Sequence, residues 1–493
     1  MNPPYIEQLN ITLGKSLNNS SNELSTWCEK LSELYNLKKN GTIVSNYDIT
    51  IIEIYILVLY TIVSIATFFR ADFTSNIEIE KRLILRYLCF ISVEVYKSLF
   101  IVNKPNTLWH KFELILSINN QIDPLKIRDK INEASSEFKS NYFRSQRRDI
   151  SLHYDYDLDI VYQHICDIDE ENESKRTASL LAVLEPLSLI CNIYLKNRYP
   201  QTKIIKIPRE NNIHQQFRKE LYKRLYDFTG SHINKFAEYL DQNMRTYHMI
   251  DRPEIKELLT QEDYKRISQF RECFKLSILI HYFFLDLGTA VRGYLRSDNF
   301  FEQQLHVIRI NLIIYEGFKK IFLPKNDDKK RESLWMQYVY IPIKTSGNSK
   351  YIDELESIEK ILCIYATNEE IKKFRHLFSH FRKNNKLQLI DLWDSVITIN
   401  PIVELNKALD FLKIIDRIIK LSKPCLEYFA KKENERHQQN LLVPLETVFT
   451  KIIGSCKTPE EKERLQSFKN ELKEMILGTF DRMIQLHKCN NHE

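Results

Sequence analysis

Apolar positions in this chain fall in long stretches with helical spacing, separated by short polar segments. The most apolar is Ile54 to Phe69 (IYILVLYTIVSIATFF), sixteen residues without a charge, bounded by Glu53 and Arg70. A membrane span needs roughly 20 such residues, so a buried core helix is expected. The next run places Leu83, Phe90, Ile91 and Val95 near one face of a helix, with Glu94 and Lys97 elsewhere. Helices are also expected around Leu24 to Leu37, over Asp123 to Phe143, Ala178 to Lys196, Ile352 to Phe374 and Val403 to Lys420. The segment opening at Asn197 reads as a loop followed by charged helices. The box Thr458-Pro459-Glu460-Glu461 starts one last helix.

The pattern repeats. Ile56–Phe100 aligns without a gap onto Ile278–Phe322 at a constant offset of 222, with 12 of 45 positions identical. Composition alone gives roughly three. Arg70/Arg292, Ser75/Ser297, Glu80/Glu302 and Glu94/Glu316 are among the identical pairs, and many other columns stay apolar. One helical unit is duplicated. The second copy of the apolar helix contains His281 and Asp286, which a membrane span would not readily carry.

Composition sharpens the fold class. There are only 9 glycines in 493 residues, and tight turns and hairpins consume glycine. An all-α fold is expected. Its parts are an N-terminal helical segment (1–49), a first domain (50–196), a linker with helices (197–269), a second domain (270–430) and a helical tail (431–493). The net charge of +6 permits a polyanionic partner without demanding one. The 9 cysteines are scattered without a CxxC pair. Reduced thiols in a cytoplasmic protein are expected, with no metal site and no cofactor. The N-terminus, MNPPYIEQLN, has no basic segment ahead of an apolar run, so no secretory leader is expected.

The candidate chemistry lies in two strings at matching places in the copies. The first holds Arg148-Asp149-Ile150-Ser151-Leu152-His153, and the second Arg375-His376-Leu377-Phe378-Ser379-His380. Bare composition yields about 0.7 Arg-x4-His spacings, and four occur. Arg209/His214 and Arg482/His487 have no counterpart in the other copy. The pairs 148/153 and 375/380 correspond at an offset of 227, so the correspondence, not the spacing, carries the information.

These strings resemble the HEPN superfamily, small helical bundles of which many are metal-independent ribonucleases. Their signature is Arg-x4–6-His, with Asn, Asp or His often following the Arg. The resemblance covers about residues 50–196 and 270–422. It implies two HEPN-like bundles packed as a pseudo-dimer, with both motifs meeting at one composite cleft. It implies Arg148, His153, Arg375 and His380 as catalytic residues. Residues four apart share a helix face, so Asp149 and His376 can orient the two histidines. Arg144, Arg147, Arg382 and Lys383 flank the motifs and suit an RNA backbone. The function expected is an endoribonuclease, a toxin or antiviral effector. RNA would be its partner, and an antitoxin, trigger or guide component and a homo-oligomer remain open. No membrane partner is expected. The alternative is a non-catalytic helical interaction or antitoxin-like protein that retains the fold.

Overall fold

The computed structural model describes residues 3–101, 108–112, 129, 165–166, 168–206, 212–250, 261–297, 299–322, 333–346, 349–366, 382–383, 386–387, 393, 398–437 and 443–472. These residues are almost wholly helical. The first helix, α1, is Pro3–Lys39, followed by α2 (Asn46–Phe73), α3 (Glu78–Tyr96) and a π turn at Lys97–Ile101. Then come α4 (Glu170–Arg198), α5 (Asn212–Ile250), α6 (Gln261–Arg296) and α7 (Phe300–Phe322). A second π turn, Met336–Tyr340, leads into α8 (Ile341–Ser346) and α9 (Ser349–Ala366). The chain continues with α10 (Pro401–His437), α11 (Val443–Ser455) and α12 (459–472). Among the described residues the only extended pairing is Arg382–Lys383 against Lys386–Leu387, antiparallel, with Arg382 opposite Leu387.

Local chemistry explains several helix starts. The Ser45 side chain accepts from the Asp48 amide at the head of α2, and Asp169 accepts from Glu171 at the head of α4. Thr458 Oγ1 accepts from the Glu461 amide at 3.2 Å, as its capping box requires. The sequence placed a short leading helix around Leu24 to Leu37, whereas α1 begins at Pro3. Glu94 was expected away from the apolar face, yet it is buried, because α3 is covered nearly all round. The helix expected at Ile352 is α9, and its continuation to Phe374 lies outside the described residues, as does the whole of Asp123 to Phe143 except Asp129.

The chain divides into two compact units, each assembled from separated segments. The first comprises Met1–Lys235, Leu285–Glu316 and Asn368–Leu409; the second comprises Phe236–Phe284, Gly317–Thr367 and Asp410–Glu493. In the first unit α2 is the central helix. Its apolar window is 94% buried, packed by Leu17, Leu24 and Leu31 of α1, Leu88 and Ile91 of α3, and Leu180 and Leu184 of α4. The Trp27 ring meets Tyr55 edge-on at 6.1 Å, and the Tyr55 hydroxyl donates to Glu23. The turn formed by the end of α6 and the start of α7 belongs to this same unit, with Phe301, Leu305, Ile308 and Leu312 in its core.

In the second unit Phe284 packs on Phe236 at 4.3 Å and Phe283 on Phe411 at 5.2 Å. Gly317 is required here: a Cβ at that position would lie 1.7 Å from the Phe283 ring. His281 is buried and its Nδ1 lies 2.7 Å from the Ser277 carbonyl.

Candidate functional site

The motif residues Arg148, Asp149, His153, Arg375, His376 and His380 lie outside the described residues, as do the flanking Arg144 and Arg147. Arg382 and Lys383 are described only as backbone, in the short extended pairing two residues after His380.

At the heart of the first unit the two repeated hairpins meet through buried charges. Arg70 Nη1 of the first copy lies 2.5 Å from Glu302 Oε1 of the second. Arg292 Nε of the second copy lies 2.5 Å from Glu80 Oε1 of the first. Arg70 and Arg292 are repeat equivalents, and so are Glu80 and Glu302. Each copy therefore gives an arginine to the other and takes one back. Tyr87 and Arg309 are also equivalents at the offset of 222, and they face each other, guanidinium over ring at 5.4 Å.

The surroundings repeat as well. Arg70 Nε donates to Asn10 of α1 at 2.7 Å, and Arg292 Nη1 donates to the Tyr226 carbonyl of α5 at 2.8 Å. Gly14 of α1 lies against the Arg70 guanidinium, and Gly230 of α5 lies against that of Arg292. Asn10/Tyr226 and Gly14/Gly230 share an offset of 216. The buried positions Leu17/Ile233, Leu24/Leu240, Trp27/Asn243, Cys28/Met244 and Leu31/Tyr247 keep it. Past the motifs, α4 and α10 match at 231. Glu173/Glu404, Thr177/Ala408, Leu180/Phe411, Val183/Ile414, Leu184/Ile415, Leu187/Ile418 and Ile190/Leu421 are buried in both. Glu173 pairs with Arg176 and Glu404 with Lys407, each three residues on.

The remaining charges at the hairpin contact are tightly held. Glu80 Oε2 also receives Arg296 Nη2 at 3.1 Å and the Ser75 hydroxyl at 2.6 Å. Asp286 takes Arg309 at 2.7 Å and has Arg86 at 3.7 Å. Partnered in this way, Asp286 sits comfortably in an apolar helix. Burial, helped by Arg309 and Arg296, pushes the His306 imidazole well below its usual value, so it is neutral beside Phe68 and Gly293. Neither carboxylate oxygen of Asp72 has a hydrogen-bonding partner among the described residues. Burial first, and Glu170 next, raise Asp72 to about 7, against Lys81 and Arg296.

Apart from Arg70, which is 16% exposed, this network is buried, and it suits structural cohesion rather than substrate chemistry. In the sequence its arginines and glutamates stand out only as identities between the copies. The available signal was a charged pair kept in both copies inside an otherwise apolar hairpin. Comparison with protein-family models, with curated proteins and with solved structures finds no match.

Proposed function

We propose that this chain is a metal-independent endoribonuclease of HEPN type, in which two copies of a four-helix unit pair about a local two-fold axis. The observation that carries the reading is the reciprocal exchange of Arg70–Glu302 and Arg292–Glu80 between equivalent hairpins. A HEPN cleft needs two bundles related in this way, so that equivalent motifs approach the axis from opposite sides.

The offsets between copies give a second support. They rise along the chain from 216 at α1/α5, through 222 at the hairpins, to 231 at α4/α10. The motif offset of 227 falls in order between the last two. Arg148/His153 and Arg375/His380 then occupy equivalent places in the duplicated unit, which an accidental pair of spacings would not do.

The chemistry follows from residue type. The ribose 2′-OH attacks the adjacent phosphate, the 5′-oxygen leaves, and a 2′,3′-cyclic phosphate forms. His153 and His380 divide the roles of base and acid. Arg148 and Arg375 hold the phosphate oxygens as negative charge gathers. Asp149 and His376 orient the histidines, while Arg144, Arg147, Arg382 and Lys383 guide the strand. An effector of this class acts as a toxin or in antiviral defence, in the cytoplasm, and is restrained until triggered.

The test is incubation of the purified chain with end-labelled RNA in excess EDTA, with the product ends identified chemically. Cleavage that persists and leaves a cyclic phosphate supports the reading. Cleavage abolished by EDTA counts against it. If the isolated protein is silent, growth arrest in cells is compared between the wild type and a His153→Ala/His380→Ala double mutant; equal arrest sinks the proposal.

A further inference from the structure

Of the nine exposed large apolar side chains among the described residues, six lie on three stretches of the first unit: Leu37, Ile43 and Tyr47 around the α1–α2 turn, Leu189 and Ile193 on α4, and Ile204 in the segment after it. Contacts bring their segments together. Asp48, next to Tyr47, accepts from the Tyr194 and Tyr199 hydroxyls, each at 2.8 Å, and pairs with Arg198 at 3.2 Å. Lys38 Nζ reaches Asn46 at 2.8 Å, and the Ile205 amide donates to Thr26 of α1 at 2.9 Å. The α1–α2 turn, the end of α4 and the segment after it are thus tied together.

Three features mark these stretches. Ile43, at the turn opened by Gly41 with φ 83°, is 100% exposed. The outer stripe of α4 runs Ala178, Ala182, Leu189 and Ile193, interrupted by one charge, Glu185. This helix is apolar enough and long enough to span a membrane, yet only 39% of its apolar window is buried, against 94% for α2. Finally, residues 34–47 and 186–206, bounded by the exposed Glu33 and Glu185 and the buried Asp48, carry six cations and no acid: Lys38, Lys39, Lys196, Arg198, Lys203 and Lys206.

We propose that these stretches of the first unit dock reversibly on an anionic lipid surface, with Ile43, Leu189 and Ile193 entering the headgroup boundary and the lysines contacting the headgroups. The contact is superficial. The inner face of α4 is locked to α2 through Leu180, Leu184 and Leu187, so the helix does not cross the bilayer. Five of the six cations are lysines, and the single arginine is held by Asp48. Protein interfaces are depleted in lysine, whereas polybasic lysine patches recur beside anionic lipid. The protruding groups are mostly aliphatic and cannot stack on bases, which disfavours RNA. A fully exposed isoleucine at a turn needs no complementary pocket in lipid.

The experiment is cosedimentation of the full chain with vesicles of phosphatidylglycerol and phosphatidylcholine, and with phosphatidylcholine alone. Pelleting is expected with the anionic vesicles only and should weaken as salt screens the charges. Ile43→Asp with Ile193→Asp should abolish it. Lys38→Glu with Lys39→Glu should lower the partition coefficient roughly tenfold or more. Helicity by circular dichroism is expected to stay at the wild-type level in both, and Ile43→Ser alone, at a fully exposed site, serves if a double variant misfolds. The idea fails if the chain pellets with neither vesicle, if it pellets equally with both, or if the variants pellet like the wild type. It also fails if the same variants instead lose binding to labelled RNA or to an acidic peptide while vesicles are never bound.

Discussion

Asp72 is buried with no hydrogen-bonding partner among the described residues, and its affinity for a proton is raised from the usual value of 3.8 to about 7. The folded chain therefore keeps a proton there that the unfolded chain has released. Stability falls as pH rises from about 4 to about 7, and the full cost persists above that. Asp72→Asn removes this dependence. Thermal unfolding should show the variant above the wild type at pH 8 and level with it near pH 4; a gain that is the same at both pH values would refute the assignment. The motif histidines act through proton transfer. On the composite-site proposal, His153→Ala and His380→Ala should each slow RNA cleavage by roughly 10²–10⁴-fold. The two losses should not add, since the residues work as a unit. Asp149→Ala should cost less, while His214→Ala and His487→Ala should leave the rate unchanged. Full activity in the His153→Ala/His380→Ala double mutant would end this reading.

Helical periodicity was legible where burial and spacing agreed. The core of α2 stands on its uncharged apolar run, α7 where the repeat of α3 placed it, and α4 and α10 where helical spacing placed them. The start of α1 was not legible. Its first half includes Asn18-Asn19-Ser20-Ser21-Asn22, poor helix formers, and tertiary contacts hold it: Asn10 on Arg70 and Asn18 on Asn299. The kinship of α1 with α5 was equally hidden. The two keep the same buried positions but few identities, and burial becomes visible only when the helix is packed. Gly317 illustrates how tight such packing is. With a Cβ 1.7 Å from the Phe283 ring, Gly317→Ala must displace an aromatic ring held against Phe411. Overpacking of this kind costs about 1–3 kcal/mol, outweighing the better helix propensity of alanine, about 1 kcal/mol. Chemical denaturation should show net destabilisation, and a more stable variant would contradict the packing.

On the scale of the whole molecule, the proposed pairing of the copies rests on the reciprocal bridges. Arg70→Glu would set a carboxylate against Glu302, whose side chain is only 2% exposed. Breaking a buried ion pair costs about 3–5 kcal/mol. Adding Glu302→Arg should recover much of that, because the Asn10 amide can turn to donate to the new carboxylate. A double-mutant cycle by urea unfolding measures the coupling, and simple additivity would show that the bridge has no specific role. The candidate catalytic residues stand in the sequence as motif and correspondence, and they lie outside the described residues. The Arg/Glu exchange was not legible, because identity in two columns does not say that one column touches the other.

The same exchange has an evolutionary consequence. In a symmetric homodimer one codon serves both ends of the axis, so any substitution strikes both bridges at once. Here each bridge is written by its own two codons. A change at Arg70 leaves Arg292–Glu80 standing, and the surviving bridge can hold the partnership while its twin drifts. On the proposed pairing, a fused chain can therefore let its two halves diverge around the shared site, along a route closed to a symmetric homodimer.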